Sequence, residues 1–183
     1  MRLRLILPML CLAVAACTPP PPPVATPRLP PDVFGMNEDN DLGAINHAVW
    51  AFAVASRTHN DPIDAARGVI AVEYLAGELQ SSPRWFRVSL AAKVEMVQAR
   101  DELRQVLGIR PDAPPQAVVD ALLRMIDALQ AGNRPAALQA LSGPIFTRPP
   151  DWTLAELNDL PYVRDANMAA SQAQEAVLPN LRF

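Results

Sequence analysis

The sequence predicts an all-α protein, a compact bundle of five to seven helices, and three observations carry that prediction. From Asp41 onward apolar residues recur at intervals of three and four, the spacing that lines one face of a helix. No stretch sustains the alternation of apolar and polar residues that marks a half-buried strand. Proline, aspartate, serine and glycine punctuate the chain at intervals of helix length, where helices start and stop.

Asn40 or Asp41 caps a first helix in which Leu42, Ile45, Val49 and Phe52 share a face, expected to run to about His59. Asp61-Pro62 supplies a cap and a first-turn proline for a second helix, which carries Ile63, Ala66, Ile70 and Leu75 to about Gln80. The short link makes these two antiparallel neighbours. Ser82-Pro83 repeats the start signal, and Val88, Ala92, Met96, Ala99, Leu103 and Val106 form one stripe before Gly108 stops the third helix. Pro114 and Pro115 introduce a fourth, whose face is Val118, Leu122, Met125 and Leu129 and which Gly132 closes. A short fifth helix covers residues 135–141.

Thr153-Leu154-Ala155-Glu156 has the form of a capping box, in which the threonine oxygen meets an orphan amide and the glutamate reaches back to the threonine amide. A short helix to Leu160 follows. Pro161 opens the last helix, whose inward positions are mainly alanine: Ala166, Ala169 or Ala170, Ala173 and Ala176. Alanine buries little area, so this helix is expected at the periphery. No repeat of 30 to 45 residues is present, which argues against a solenoid.

The first residues have another character. Arg2 and Arg4 precede an apolar run at 5–13 (LILPMLCLA) and the small residues Ala15 and Ala16, the layout of a secretory signal. Only 12 uncharged residues lie between Leu5 and Ala16, against the roughly 20 that a spanning helix needs, and Pro8 interrupts them. Val14-Ala15-Ala16-Cys17 resembles the lipobox of bacterial lipoproteins, a likeness confined to the first 17 residues. The resemblance implies cleavage before Cys17, diacylglycerol on its sulfur and acylation of the new amino terminus; two or three chains make attachment practically permanent where one leaves it reversible. It also implies the outer membrane, facing the periplasm, because an aspartate after the cysteine commonly signals inner-membrane retention and this chain has Thr18.

The competing reading is a plain secretory signal with a cysteine there by chance. Against it, Cys11 lies in the segment to be discarded and Cys17 is the sole other cysteine, so no disulfide framework accounts for it. A proline-rich stretch also begins at once: eight of the 20 prolines fall between positions 19 and 31. Residues 18–31 (TPPPPPVATPRLPP) favour polyproline II over helix or sheet, and could reach on the order of 40 Å as a spacer. A proline-rich ligand for a partner is the sharper alternative. The expected organisation is a signal at 1–16, a lipidated cysteine and linker at 17–40, and a helical domain at 41–183.

With half of its 183 residues hydrophobic and 19% charged, the chain can build one domain of ordinary size. The formal net charge is -3, and loss of Arg2 and Arg4 leaves 14 basic against 19 acidic residues, net -5. A nucleic-acid partner lacks its electrostatic footprint in such a chain.

The search for chemistry yields few candidates. His47 and His59 are the two histidines; twelve residues along one helix would set them about 120° and more than three turns apart, too far to share a metal. Asn37-Glu38-Asp39-Asn40-Asp41 is dense in oxygen ligands, but a calcium loop counted from Asn37 needs glycine where Leu42 stands and glutamate where Ala48 stands. Acids before a helix also serve its positive end, which is the favoured account. Glu73, within an apolar run, is either a buried proton carrier, or the partner of an arginine on a neighbouring helix or simply exposed, and the latter two are favoured over the first.

Trp50, Trp85 and Trp152 read as core residues; a surface cluster of Arg84, Trp85, Phe86 and Arg87 would instead resemble a partner site. No phosphate loop, dinucleotide fingerprint, nucleophile elbow or zinc-protease motif occurs, so no catalytic, cofactor or metal residue is assigned. The expected function is therefore a membrane-anchored envelope protein with a structural or protein-interaction role. The alternative is a small-molecule or glycan-binding helical protein, or an enzyme of that kind, using a buried carboxylate such as Glu73.

Overall fold

A computed structural model describes residues 24–35 and 39–177, and Cys17 with the signal lies outside them. Seven helices follow in order: α1 (Asn40–Ala51), α2 (Pro62–Ser81), α3 (Leu90–Val106), α4 (Pro115–Gln130), α5 (Arg134–Ala140), α6 (Pro150–Asn158) and α7 (Arg164–Val177). Among the described residues there is no strand beyond one isolated bridge, Ile109 with Phe146. The all-α expectation holds.

The helices close into two rings that share α2. In one, α2 packs on α1 and α3, and α7 lies across both of those; in the other, α2 packs on α4 and α6, with α5 between them. A helix common to two rings is buried over most of its surface, with Gln80 and Ser81 exposed at its end. Residues 68–73 of α2 are buried without interruption, and Ile70, Leu75 and Leu79 are fully inside. The apolar run Val69-Ile70-Ala71-Val72 is what makes this position tolerable.

Several boundaries differ from expectation, each for a local reason. The cap of α1 is Asp39, whose Oδ1 accepts from the amides of Asp41 and Leu42 at 3.1 and 3.2 Å. This helix stops at Ala51, well short of His59; a 3₁₀ turn, Ala55–Arg57, then leads to α2, where Asp61 caps and Pro62 opens as expected. Ser82-Pro83 begins another 3₁₀ turn, Pro83–Trp85, and not α3. That helix starts seven residues after Pro83, where the Ser89 hydroxyl accepts from the Ala92 amide at 3.1 Å. Trp85 and Val88 plug the core from this turn, so the apolar stripe continued into a segment that is not helical.

The expected capping box is overturned. Helix α6 begins three residues before Thr153, at Pro150, whose fixed φ suits a first helical position. Thr153 is fully buried and its hydroxyl donates to the Leu107 carbonyl at 3.2 Å, an acceptor left over at the end of α3. The chain turns there at Gly108, φ +64°, and a Cβ at this position would collide with Arg148.

Helix α7 is not peripheral. Ala166, Ala169, Ala170 and Ala173 have no exposure, and they lie against α3 and α1. Small side chains let the axes approach, so the contact is close even though each residue buries little.

Residues 24–35 also depart from a free spacer. They lie along the bundle as a strap: the Arg28 amide donates to Gln116 Oε1 at 2.7 Å, Gln116 Nε2 donates back to the Arg28 carbonyl at 3.1 Å, and the Thr26 hydroxyl is 3.2 Å from that of Ser81. Pro27 is buried, and Leu29, Val33 and Phe34 pack on the core. Gly77 makes room, because a Cβ there would stand 2.7 Å from the Thr26 backbone.

Candidate functional site

Glu73 is 1% exposed and pairs with Arg104, 2% exposed, across α2 and α3. Arg104 Nε donates to Oε1 at 2.6 Å and Nη2 to Oε2 at 2.8 Å, while Nη1 donates to the carbonyls of Pro111 and Ala113 at 2.8 and 3.0 Å. Burial pushes the Glu73 carboxyl up, and the hydrogen bonds and charge of Arg104 oppose it. Both oxygens are occupied and neither reaches solvent. The pair ties the α3–α4 loop to the shared helix, which is a structural task.

The acidic run acts at the start of α1. Asn37 and Glu38 lie outside the described residues. Asp39 caps, and Arg84 Nη1 reaches both Asp39 oxygens at 3.0 and 3.1 Å and Asp41 Oδ2 at 2.5 Å. Tyr74 donates a short hydrogen bond to Asp41 Oδ1. Burial, then the carboxylate it donates to, pushes the Tyr74 phenol up. Burial works to raise the Asp39 carboxyl, but bonds from Arg84 and the Leu42 amide outweigh it, so Asp39 sits below its ordinary value. Tyr74 and Arg104 carried no sequence signal, since nothing in a linear pattern says which tyrosine or arginine will face a given acid.

The histidines serve different neighbourhoods. His47 Nε2 lies 3.2 Å from the Asp64 carbonyl, and its ring contacts Phe34 of the strap and Trp50 at 5.7 and 5.4 Å between centroids. His59, in a turn and not at a helix end, pairs with Asp159 at 2.9 Å on the surface. Among the described residues no three His, Cys, Asp or Glu side chains gather as a metal site would require.

The tryptophans divide. Trp85 is 3% exposed, whereas Trp50 and Trp152 are half-buried under the guanidinium groups of Arg57 and Arg148. The cluster read from the sequence as a core or partner site is split between the two: Trp85 turns inward beneath Arg84, and Phe86 turns outward, 77% exposed, beneath Arg87. Leu90 is 78% exposed and Val94 is exposed, so the apolar surface runs from the turn onto the first two turns of α3. A groove of about 380 Å³ opens beside it, walled by Leu42, Val88 and Val177 with Arg84 and Arg87 at its rim.

No known protein family, no curated protein and no solved structure matches this chain. Its chemistry is therefore argued from its own surface, and this aromatic and basic end of the bundle is the candidate site.

Proposed function

We propose that the chain is an envelope lipoprotein, held to a membrane by lipid on Cys17, whose helical domain is a structural or binding module. The observation that carries the second half is the contrast between a sealed interior and an open apolar end. Glu73, the carboxylate on which an enzymatic reading depended, is spent on Arg104, and the core around it is aliphatic. Phe86 and Leu90, by contrast, are exposed and continue into Val94, an apolar surface of the kind that marks a contact site.

The anchor rests on the resemblance to the lipobox at Val14-Ala15-Ala16-Cys17, and Thr18 favours the outer membrane facing the periplasm. Among the described residues no helix is long and apolar enough to cross a bilayer, so membrane attachment by those residues would have to be superficial. Labelled palmitate supplied to expressing cells is expected to enter the protein, and Cys17→Ser is expected to block both labelling and membrane fractionation. Absence of label, or unchanged fractionation of the variant, would overturn the anchor.

A further inference from the structure

We infer that the exposed face formed by Phe86, Leu90 and Val94, flanked by Arg87 and Lys93, seats on the phospholipid surface to which the chain is moored. Three observations converge on a lipid surface as occupant. The first is composition. Residues 83–94 (PRWFRVSLAAKV) carry three basic side chains and no acid, in a protein whose acids outnumber its bases. Arg84 is neutralised by Asp39 and Asp41, but Arg87 and Lys93 form no salt bridge among the described residues. Apolar side chains flanked by two cations outside any salt bridge, with Glu95 the nearest acid in sequence, are of the kind that enters the boundary between headgroups and acyl chains.

The second observation is direction. Thr26 stands against both Gly77 and Ser81, so the amino-terminal end of the described strap lies at the carboxyl end of α2. The Pro83–Trp85 turn and the start of α3 follow directly from that end. The amino-terminal end of the described strap and the exposed face therefore share one pole of the molecule.

The third is reach. With the strap docked, Cys17 and Val24 are seven residues apart, which spans at most about 25 Å. A body some tens of Å across, moored that closely by its own pole, presents that pole to the lipid. This step rests on the anchored reading proposed above, since it places the acyl chains at Cys17; composition and exposure stand without it.

The test uses residues 17–183, which include every described residue, with Cys17→Ser so that the patch is read without the anchor. Vesicles of phosphatidylglycerol and phosphatidylethanolamine are compared with pure phosphatidylcholine by co-sedimentation. Binding is expected on the anionic vesicles, weakened by salt. Arg87→Gln and Lys93→Gln should each lower it about fivefold, and Phe86→Ser with Leu90→Ser about tenfold. Phe86, Arg87 and Leu90 are exposed and Lys93 is half-buried, and circular dichroism checks that the variants fold.

No binding by the Cys17→Ser chain, or binding indifferent to these substitutions, overturns the inference while leaving the anchor untouched. Failure of palmitate labelling with vesicle binding intact does the reverse. A photocrosslinker placed at position 86 of the lipidated protein in cells should capture lipid; capture of a protein in its place would overturn the inference.

Discussion

Glu73 and Arg104 show how much depends on a single buried contact. Removing one partner strands the other without water, so Glu73→Ala or Arg104→Ala is expected to cost about 3–5 kcal/mol in urea unfolding. Replacing both, with Glu73→Met and Arg104→Met, should recover much of that loss, because two apolar side chains leave no charge unpaired. If the single variants unfold at the wild-type midpoint, the pair is not as closed as its four hydrogen bonds from Arg104 indicate.

Asp39 makes a second prediction at this scale, and its sign follows from the depressed carboxyl. The stabilisation is fully present above the ordinary aspartate value and is lost as pH falls through the lower folded value, so the window lies below about pH 4. Asp39→Asn keeps the capping oxygen and drops the charge. Its thermal midpoint should fall slightly below wild type at pH 7 and converge with it near pH 2. Because Asp39 and Arg84 are both nearly half exposed, the difference at pH 7 is held to roughly 0.5 kcal/mol by solvent screening.

At the scale of elements, α7 and the strap are where side-chain size decides the outcome. The buried alanines of α7 leave no space for three more carbons, so Ala169→Leu is expected to destabilise by about 1–3 kcal/mol; a helix resting loosely on the outside would accept the change. Denaturant midpoints distinguish the two. Gly77→Ala should act differently. The added methyl meets the Thr26 backbone and lifts the strap, while the helix itself gains about 1 kcal/mol of propensity. Cleavage by a protease within residues 24–35 is expected to accelerate with no fall in the global unfolding midpoint. Unaltered resistance would mean that the strap stays docked despite the methyl.

Helix signals in the sequence were read well where they were purely local. Asp61-Pro62 and Pro115 start their helices as their chemistry requires, because a capping carboxylate or a preset φ acts within one turn. Ser82-Pro83 and Thr153 misled for the opposite reason. Each is a competent start signal, but Trp85 and Val88 are drawn from their turn into the core, and the Thr153 hydroxyl is claimed by a carbonyl 46 residues away.

The molecule as a whole is two rings on one axle. Because α2 belongs to both, neither ring can lose its packing without exposing the helix that completes the other. A single cooperative unfolding transition is expected, with far-UV circular dichroism and tryptophan fluorescence coincident; two separated transitions would mean that the rings are independent. The same arrangement disposes the surface. With Glu73 closed inside, the aromatic and basic groove lies at the pole where α1 and α3 begin and α2 and α7 end, close to the amino-terminal end of the described strap.

By itself the sequence determined the helical class, the order and approximate extent of most helices and the expectation of an anchor at Cys17, since each depends on periodicity, local caps or short motifs. Tertiary structure alone decided that α2 is shared, that alanine puts α7 inside, that residues 24–35 are docked, and that Trp85 and Phe86 part ways. Those outcomes turn on which surfaces meet across tens of residues. Adjacent side chains in a chain carry no record of that until the helices have packed.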